Sequence, residues 1–168
     1  KMKEFCEAYG QKPGVVYAEH NALMRLAAVP NDQYYAGMWG LKKIQAAQAW
    51  DLDNGLGKNV LVGIVDTGID KSHPDLQGKI VLGGRDYFSN DDDVTDENGH
   101  GTHVAGTIAA VTNNGIGVAA VAPGAKVYPV KAFGAGGQAP TSYIVQAIRD
   151  ATAKHVDVIN LSLGAQYG

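Results

Sequence analysis

Asp66 and His100 are the residues of this sequence whose types and settings point first to chemistry. Asp66 follows an apolar run and is flanked by Thr67 and Gly68, a setting that holds a carboxylate rigidly with little water around it. His100 stands between Gly99 and Gly101, just ahead of a segment of small apolar residues, so a ligand can come close to it. Hydrolysis by an activated hydroxyl needs such a pair: the carboxylate fixes the imidazole tautomer and stabilises the imidazolium that forms. Each residue alone has a plainer role, since a strand-end aspartate can cap a loop and a lone histidine can simply be solvated.

The elements that must position this pair follow from hydrophobic patterning. Residues 59–65 form an apolar, β-rich run typical of a strand buried on both faces. Residues 104–110 read as a helix entered from a glycine turn, and 126–131 as a second strand. Thr141 or Ser142 is placed to cap a helix whose buried stripe is Ile144, Ala147, Ile148 and Ala151, and 156–161 reads as a third strand. Such alternation predicts an α/β fold in three layers, a largely parallel sheet with helices on its faces. Chemistry in these folds gathers beyond the carboxyl ends of the strands, where Asp66 and the Ser162-Leu163-Gly164 run both stand. Upstream, residues 1–10 space Met2, Phe5, Cys6 and Tyr9 as an amphipathic helix, and 15–18 reads as a short strand. Residues 26–53 are irregular, with a turn at 30–32 and a helical segment at 44–50. This opening stretch has too little apolar material for a core of its own.

Composition narrows the function classes. With 45% hydrophobic and 18% charged residues, the 168-residue chain has the make-up of one globular domain with at most a short appendage. A net charge of −3 without any basic block argues against a nucleic-acid partner. No apolar run approaches the length of a membrane span. The single cysteine, Cys6, excludes an internal disulfide and a cysteine-rich zinc module.

Three motifs taken together resemble the subtilisin-like (subtilase, peptidase family S8) serine peptidases. They are Val65-Asp66-Thr67-Gly68-Ile69-Asp70, His73-Pro74-Asp75-Leu76, and His100-Gly101-Thr102-His103-Val104-Ala105-Gly106-Thr107. The order aspartate then histidine is the subtilisin order, in which serine comes last. The resemblance covers residues 30–164, and residues 30–32, 39–50 and 111–114 are most similar to the thermitase-type branch. It implies that Asp66 orients the imidazole and that His100 is the general base, then the general acid. Ser162, Leu163 and Gly164 resemble the substrate-binding strand, and Gly136, Gly137 and Gln138 the edge strand that pairs with the substrate from its other side. Together these would hold an extended protein or peptide substrate as an added strand.

The same resemblance implies bound calcium. A first site would take Asp32, Asp75, the carbonyls of Val111, Ile116 and Val118, and the side chain of Asn114, a set of hard oxygen ligands. An ordinary asparagine-glycine turn is the plainer account of that loop. A second site would use Asp86, Asp91 and Asp93, with a merely solvated acidic loop as its alternative. Residues 1–27 resemble the end of an inhibitory propeptide and 28–168 the N-terminal part of the catalytic domain, with maturation near Ala27–Ala28 and secretion as the expected destination. No Gly-Thr-Ser-Met-Ala motif and no oxyanion asparagine occur in the chain. The fold is therefore expected to be incomplete and inactive in this chain, with a C-terminal fragment carrying the serine as its partner. Two other classes stand beside this one: a non-catalytic peptide-binding relative, and a metallohydrolase built on His73, Asp66, His100 and the H-x-x-H partner His103.

Overall fold

Strand β1, Leu61–Asp66, forms where β-branched residues follow one another with no polar face, and all but its first residue are buried. The computed structural model describes residues 2–19, 29–52 and 56–164. Before β1 come helix α1 (Met2–Gly10), a 3₁₀ turn (Tyr35–Gly37) and helices α2 (Trp39–Lys43) and α3 (Ala46–Leu52). After it come a 3₁₀ turn (Pro74–Leu76), helix α4 (His100–Ala109), strand β2 (Lys126–Lys131), helix α5 (Thr141–Ala153) and strand β3 (Val158–Asn160). The sheet has the order β2-β1-β3, and both pairings are parallel.

The two faces of β1 and β2 carry separate cores. Val62, Ile64 and Val127 pack with Ala105 and Ala109 of α4 and with Ile69 and Leu76. Val65, Tyr128 and Val130 pack with Ala147 and Ala151 of α5, flanked by Ile144 and Ile148. Because side chains alternate along a strand, this division gives the helix–sheet–helix layering expected from the sequence. Each fully buried Val or Ile here contributes roughly 1.5–3 kcal/mol of transfer free energy. Gly63 marks the closest approach: a Cβ there would lie 3.1 Å from both Ala151 Cβ and Val156 Cγ2. The Tyr128 hydroxyl sits 2.7 Å from Gly83 O and 3.2 Å from Asp150 Oδ1, tying β2 to α5. Burial first, and then the Asp150 charge, push that phenol up to about 12.

Local expectations are corrected at four places. Residues 15–18 form no strand: Val16 is 95% and Tyr17 73% exposed, and β-branched residues do not make a strand without a neighbour to pair with. The helical segment expected at 44–50 is broken at Gln45, whose φ of 57° separates α2 from α3. Helix α5 starts at Thr141, with Pro140 as its N-cap and no side-chain cap bond from Thr141 or Ser142. Strand β3 ends at Asn160, which leaves Ser162 beyond the sheet. Upstream, Leu41 and Ala46 pack on Ala119, and Trp50 Nε1 donates to Val121 O at 2.9 Å. Residues 29–52 therefore lean on the loop after α4 instead of forming a core of their own.

Candidate active site

Asp66 is the last residue of β1, and His100 is the first residue of α4. The Asp66 carboxylate is 3% exposed. Its Oδ1 accepts from the Thr67 backbone N–H at 2.7 Å and lies 2.7 Å from His100 Nδ1. An ionised carboxylate only accepts, so it keeps the imidazole proton on Nδ1 and leaves Nε2 as the basic nitrogen. The His100 ring is half exposed, on the wall of a cleft of about 220 Å³. An imidazole held in this way can take a proton from a hydroxyl and later return it.

Helix α4 can reach β1 this closely only because Gly101 has no side chain. A Cβ at Gly101 would collide with Gly68 O and lie 3.2 Å from Asp66 Oδ1. Gly101→Ala is therefore expected to push the start of α4 off the strand at a cost of about 1–3 kcal/mol. A lowered urea midpoint with an unchanged slope checks this; an unchanged midpoint would refute it.

Asp96 was not singled out by the sequence reading. Gly99, the N-cap of α4, has φ 96° and no side chain with which to cap, and Asp96 supplies the missing acceptor. Burial alone would raise its carboxyl, but hydrogen bonds from the Thr102 hydroxyl and from the N–H groups of Gly99, Asn98 and Thr102 outweigh burial and bring it down to about 2. An aspartate three residues ahead of a glycine that opens a helix is the signal that could have found it.

The cleft is lined by Asp66, Thr67, Asn98, His100, Phe133, Gly137, Ser162, Leu163 and Gly164. It thus brings the Asp66–His100 pair together with Ser162, Leu163, Gly164 and Gly137, while Gly136 and Gln138 lie beside it. The backbone groups of Leu163 and Gly164 have no hydrogen-bonded partner among the described residues. The expected edge strand at 136–138 is instead a turn, closed by the Gly137 N–H donating to Gly134 O at 2.9 Å. Gly137 has φ 67°, which takes the chain out of the extended region.

Two residues of the first expected metal site, Asp32 and Asp75, are both hydrogen-bonded to the loop after α4. Asp32 and Asp75 are 4% and 3% exposed, and neither forms an ion pair with a basic side chain among the described residues. Asp32 Oδ2 accepts from the Asn113 N–H at 2.9 Å, whereas Asp32 Oδ1 is buried with no partner. The two Asp75 oxygens accept from Asn114 Nδ2 and the Val118 N–H, each at 2.8 Å. The carbonyls of Val111, Ile116 and Val118 accept no hydrogen bond among the described residues. A buried, orphaned carboxylate oxygen on Asp32 and unused carbonyls in the 111–118 loop are ligand types that suit a hard cation.

The second expected set does not converge. Asp86 is buried against Lys131 Nζ at 3.5 Å, and its Oδ1 accepts from the N–H groups of Phe88 and Ser89. Asp93 is committed to Thr95 and Lys71, and Asp91 to the Asp93 N–H. A lysine already stands against the buried member, Asp86. The metallohydrolase alternative also fails: among the described residues no three His, Cys, Asp or Glu side chains converge on a metal position. His73 Nδ1 instead accepts from the Asp75 N–H at 3.2 Å as a turn residue.

Comparison with known proteins agrees with this arrangement. The family model described as "Subtilase family" matches residues 57–167, about two thirds of the chain. A "Thermophilic serine proteinase" of Bacillus sp. (strain AK1) is 43% identical over 159 residues, covering 94% of this chain and 39% of the relative. "Thermitase" of Thermoactinomyces vulgaris is 44% identical over 140 residues, covering 83% and 49% respectively. The "Major intracellular serine protease" of Bacillus subtilis (strain 168) is 45% identical over 130 residues, covering 74% and 40%. The chain thus spans between two fifths and one half of the length of these relatives. With a matching family model, thermitase-type relatives and a parallel sheet whose central strand ends at Asp66 against His100 of α4, this chain belongs to the subtilase family.

Proposed function

We propose that the complete protein is a serine endopeptidase of the subtilisin type and that this chain supplies two of its three catalytic side chains. The observation that carries the reading is the 2.7 Å contact between Asp66 Oδ1 and His100 Nδ1, set in a cleft that also holds Ser162, Leu163 and Gly164. Asp66 orients the ring, and His100 Nε2 takes the proton of a serine hydroxyl and passes it to the leaving amine. That serine and the oxyanion asparagine come from a segment outside these 168 residues, so the chain by itself does not hydrolyse peptides. An extended segment of a protein substrate lies along the free backbone groups of Leu163 and Gly164 as an added strand, with Gly137 on the facing wall. Recognition through the backbone predicts broad tolerance of substrate side chains.

Calcium stabilises the protein at the first site. Asp32 Oδ1, Asp75, the carbonyls of Val111, Ile116 and Val118 and the turned amide of Asn114 are its ligands. Bound there, the cation offsets two buried carboxylate charges. Residues 1–27 act as the end of an inhibitory propeptide released near Ala27–Ala28, a position outside the described residues. The complete protein is secreted, which fractionation of producing cells would test directly.

The test is labelling of the complete protein with a fluorophosphonate probe followed by mass spectrometry. The expected label sits on one serine outside residues 1–168. A complete protein that stays unlabelled, or that is labelled at Ser162, would overturn the reading.

A further inference from the structure

We propose that Asp96 is a positioning residue for His100, clamping the first turn of α4 onto the end of β1 and so setting the Asp66–His100 contact. A carboxylate that merely capped a helix would touch that helix alone, but Asp96 reaches three parts of the chain. Its Oδ1 accepts from the Thr67 hydroxyl at 2.8 Å, the Asn98 N–H at 3.0 Å and the Gly99 N–H at 2.9 Å. Its Oδ2 accepts from the Thr102 N–H at 2.9 Å and the Thr102 hydroxyl at 2.6 Å. The Thr67 oxygen in turn accepts from the Gly101 N–H at 2.9 Å. The neighbours of both Asp66 and His100 are thus bound to one another through a single side chain.

The clamp is itself fixed to the sheet. Lys131, 3% exposed at the end of β2, donates through Nζ to Thr95 O at 2.9 Å and to Glu97 Oε2 at 3.0 Å, the residues on either side of Asp96. Lys131 is also the register partner of Asp66 across the β1–β2 ladder. Sheet, loop and helix are therefore joined by one set of contacts behind the Asp66–His100 pair. A carboxylate at this place accepts on both oxygens, whereas an amide must aim donor hydrogens either at Thr102 or at the N–H groups of Asn98 and Gly99. The charge as well as the shape of Asp96 is required.

The experiment compares the complete protein with its Asp96→Asn and Thr67→Val variants. For Asp96→Asn, kcat is expected to fall on the order of 10- to 100-fold, with KM held within about 2-fold, because misplacing the base leaves substrate binding intact. The low-field proton resonance of His100 Nδ1–H is expected to shift or broaden away in the same variant. Thr67→Val, which removes the bridging hydroxyl at nearly constant shape, should show a smaller loss of the same kind and serves if Asp96→Asn does not fold. A folded Asp96→Asn variant with unchanged kcat and an unchanged resonance, altered only in melting temperature, would overturn the proposal and leave Asp96 as an ordinary cap. The kinetic part rests on the peptidase reading, but the resonance does not. A parent protein with no hydrolysis that still loses the resonance on substitution would sink that reading while supporting the positioning role.

Discussion

Replacing His100 by alanine in the complete protein is expected to lower peptide hydrolysis by about four to six orders of magnitude and to stop self-processing. Asp66 is buried and its Oδ1 is engaged by Nδ1, so it does not take the place of Nε2 as the base. The mutation removes a half-exposed side chain from the rim of a cleft, so the fold should survive. An extended peptide with no reactive electrophile should therefore still bind through the Ser162–Gly164 backbone. The check is single-turnover hydrolysis together with mass analysis of the N-terminus during expression. Normal maturation of the variant would remove His100 from the mechanism altogether.

Removing calcium is expected to lower the melting temperature of the complete protein by roughly 5–10 °C. A ligand bound only to the folded state and present at about 100 times its dissociation constant contributes about 2.7 kcal/mol, which in a domain of this size corresponds to several degrees. The structural ground is the buried, unpartnered Asp32 Oδ1 together with buried Asp75, two carboxylates withdrawn from water with no cationic side chain among the described residues to balance them. Asp32→Asn should cost stability in calcium buffer and leave the protein almost insensitive to chelator. Superimposable melting curves with and without chelator would refute the site.

Strands β1 and β2 and helices α4 and α5 were legible in the sequence because each buries a continuous face, and burial imposes a period that residues display. Residues 15–18 have the same β-rich character and form no strand, since composition does not supply a neighbour. The pair Asp66–His100 was legible because glycines and small residues crowd around both. Asp96 was not, because its importance lies in Thr67 and Thr102, which reach it only once β1 and α4 are packed together. The setting of Asp86 in the acidic loop was hidden from the sequence for a related reason. Asp86 looks like one of several repelling carboxylates until Lys131, far along the chain, is folded against it. Burial alone would lower the lysine, but the hydrogen bond to Glu97 and the charges of Asp86 and Glu97 outweigh it and lift the lysine above its ordinary value, so it stays charged.

The sheet order β2-β1-β3 bears on how the protein is made. The central strand comes first in sequence, and both of its neighbours come long after it: Leu61 pairs with Lys126, and Val62 with Val158. Contacts of such long range close large loops before they return any free energy, which slows folding. During synthesis, one edge of β1 waits for β2 to leave the ribosome and the other waits for β3. Until residue 160 has emerged, the most apolar stretch of the molecule carries unpaired backbone groups. Neither pairing of β1 is a hairpin that could form early, so exposure of that strand during translation favours aggregation over folding.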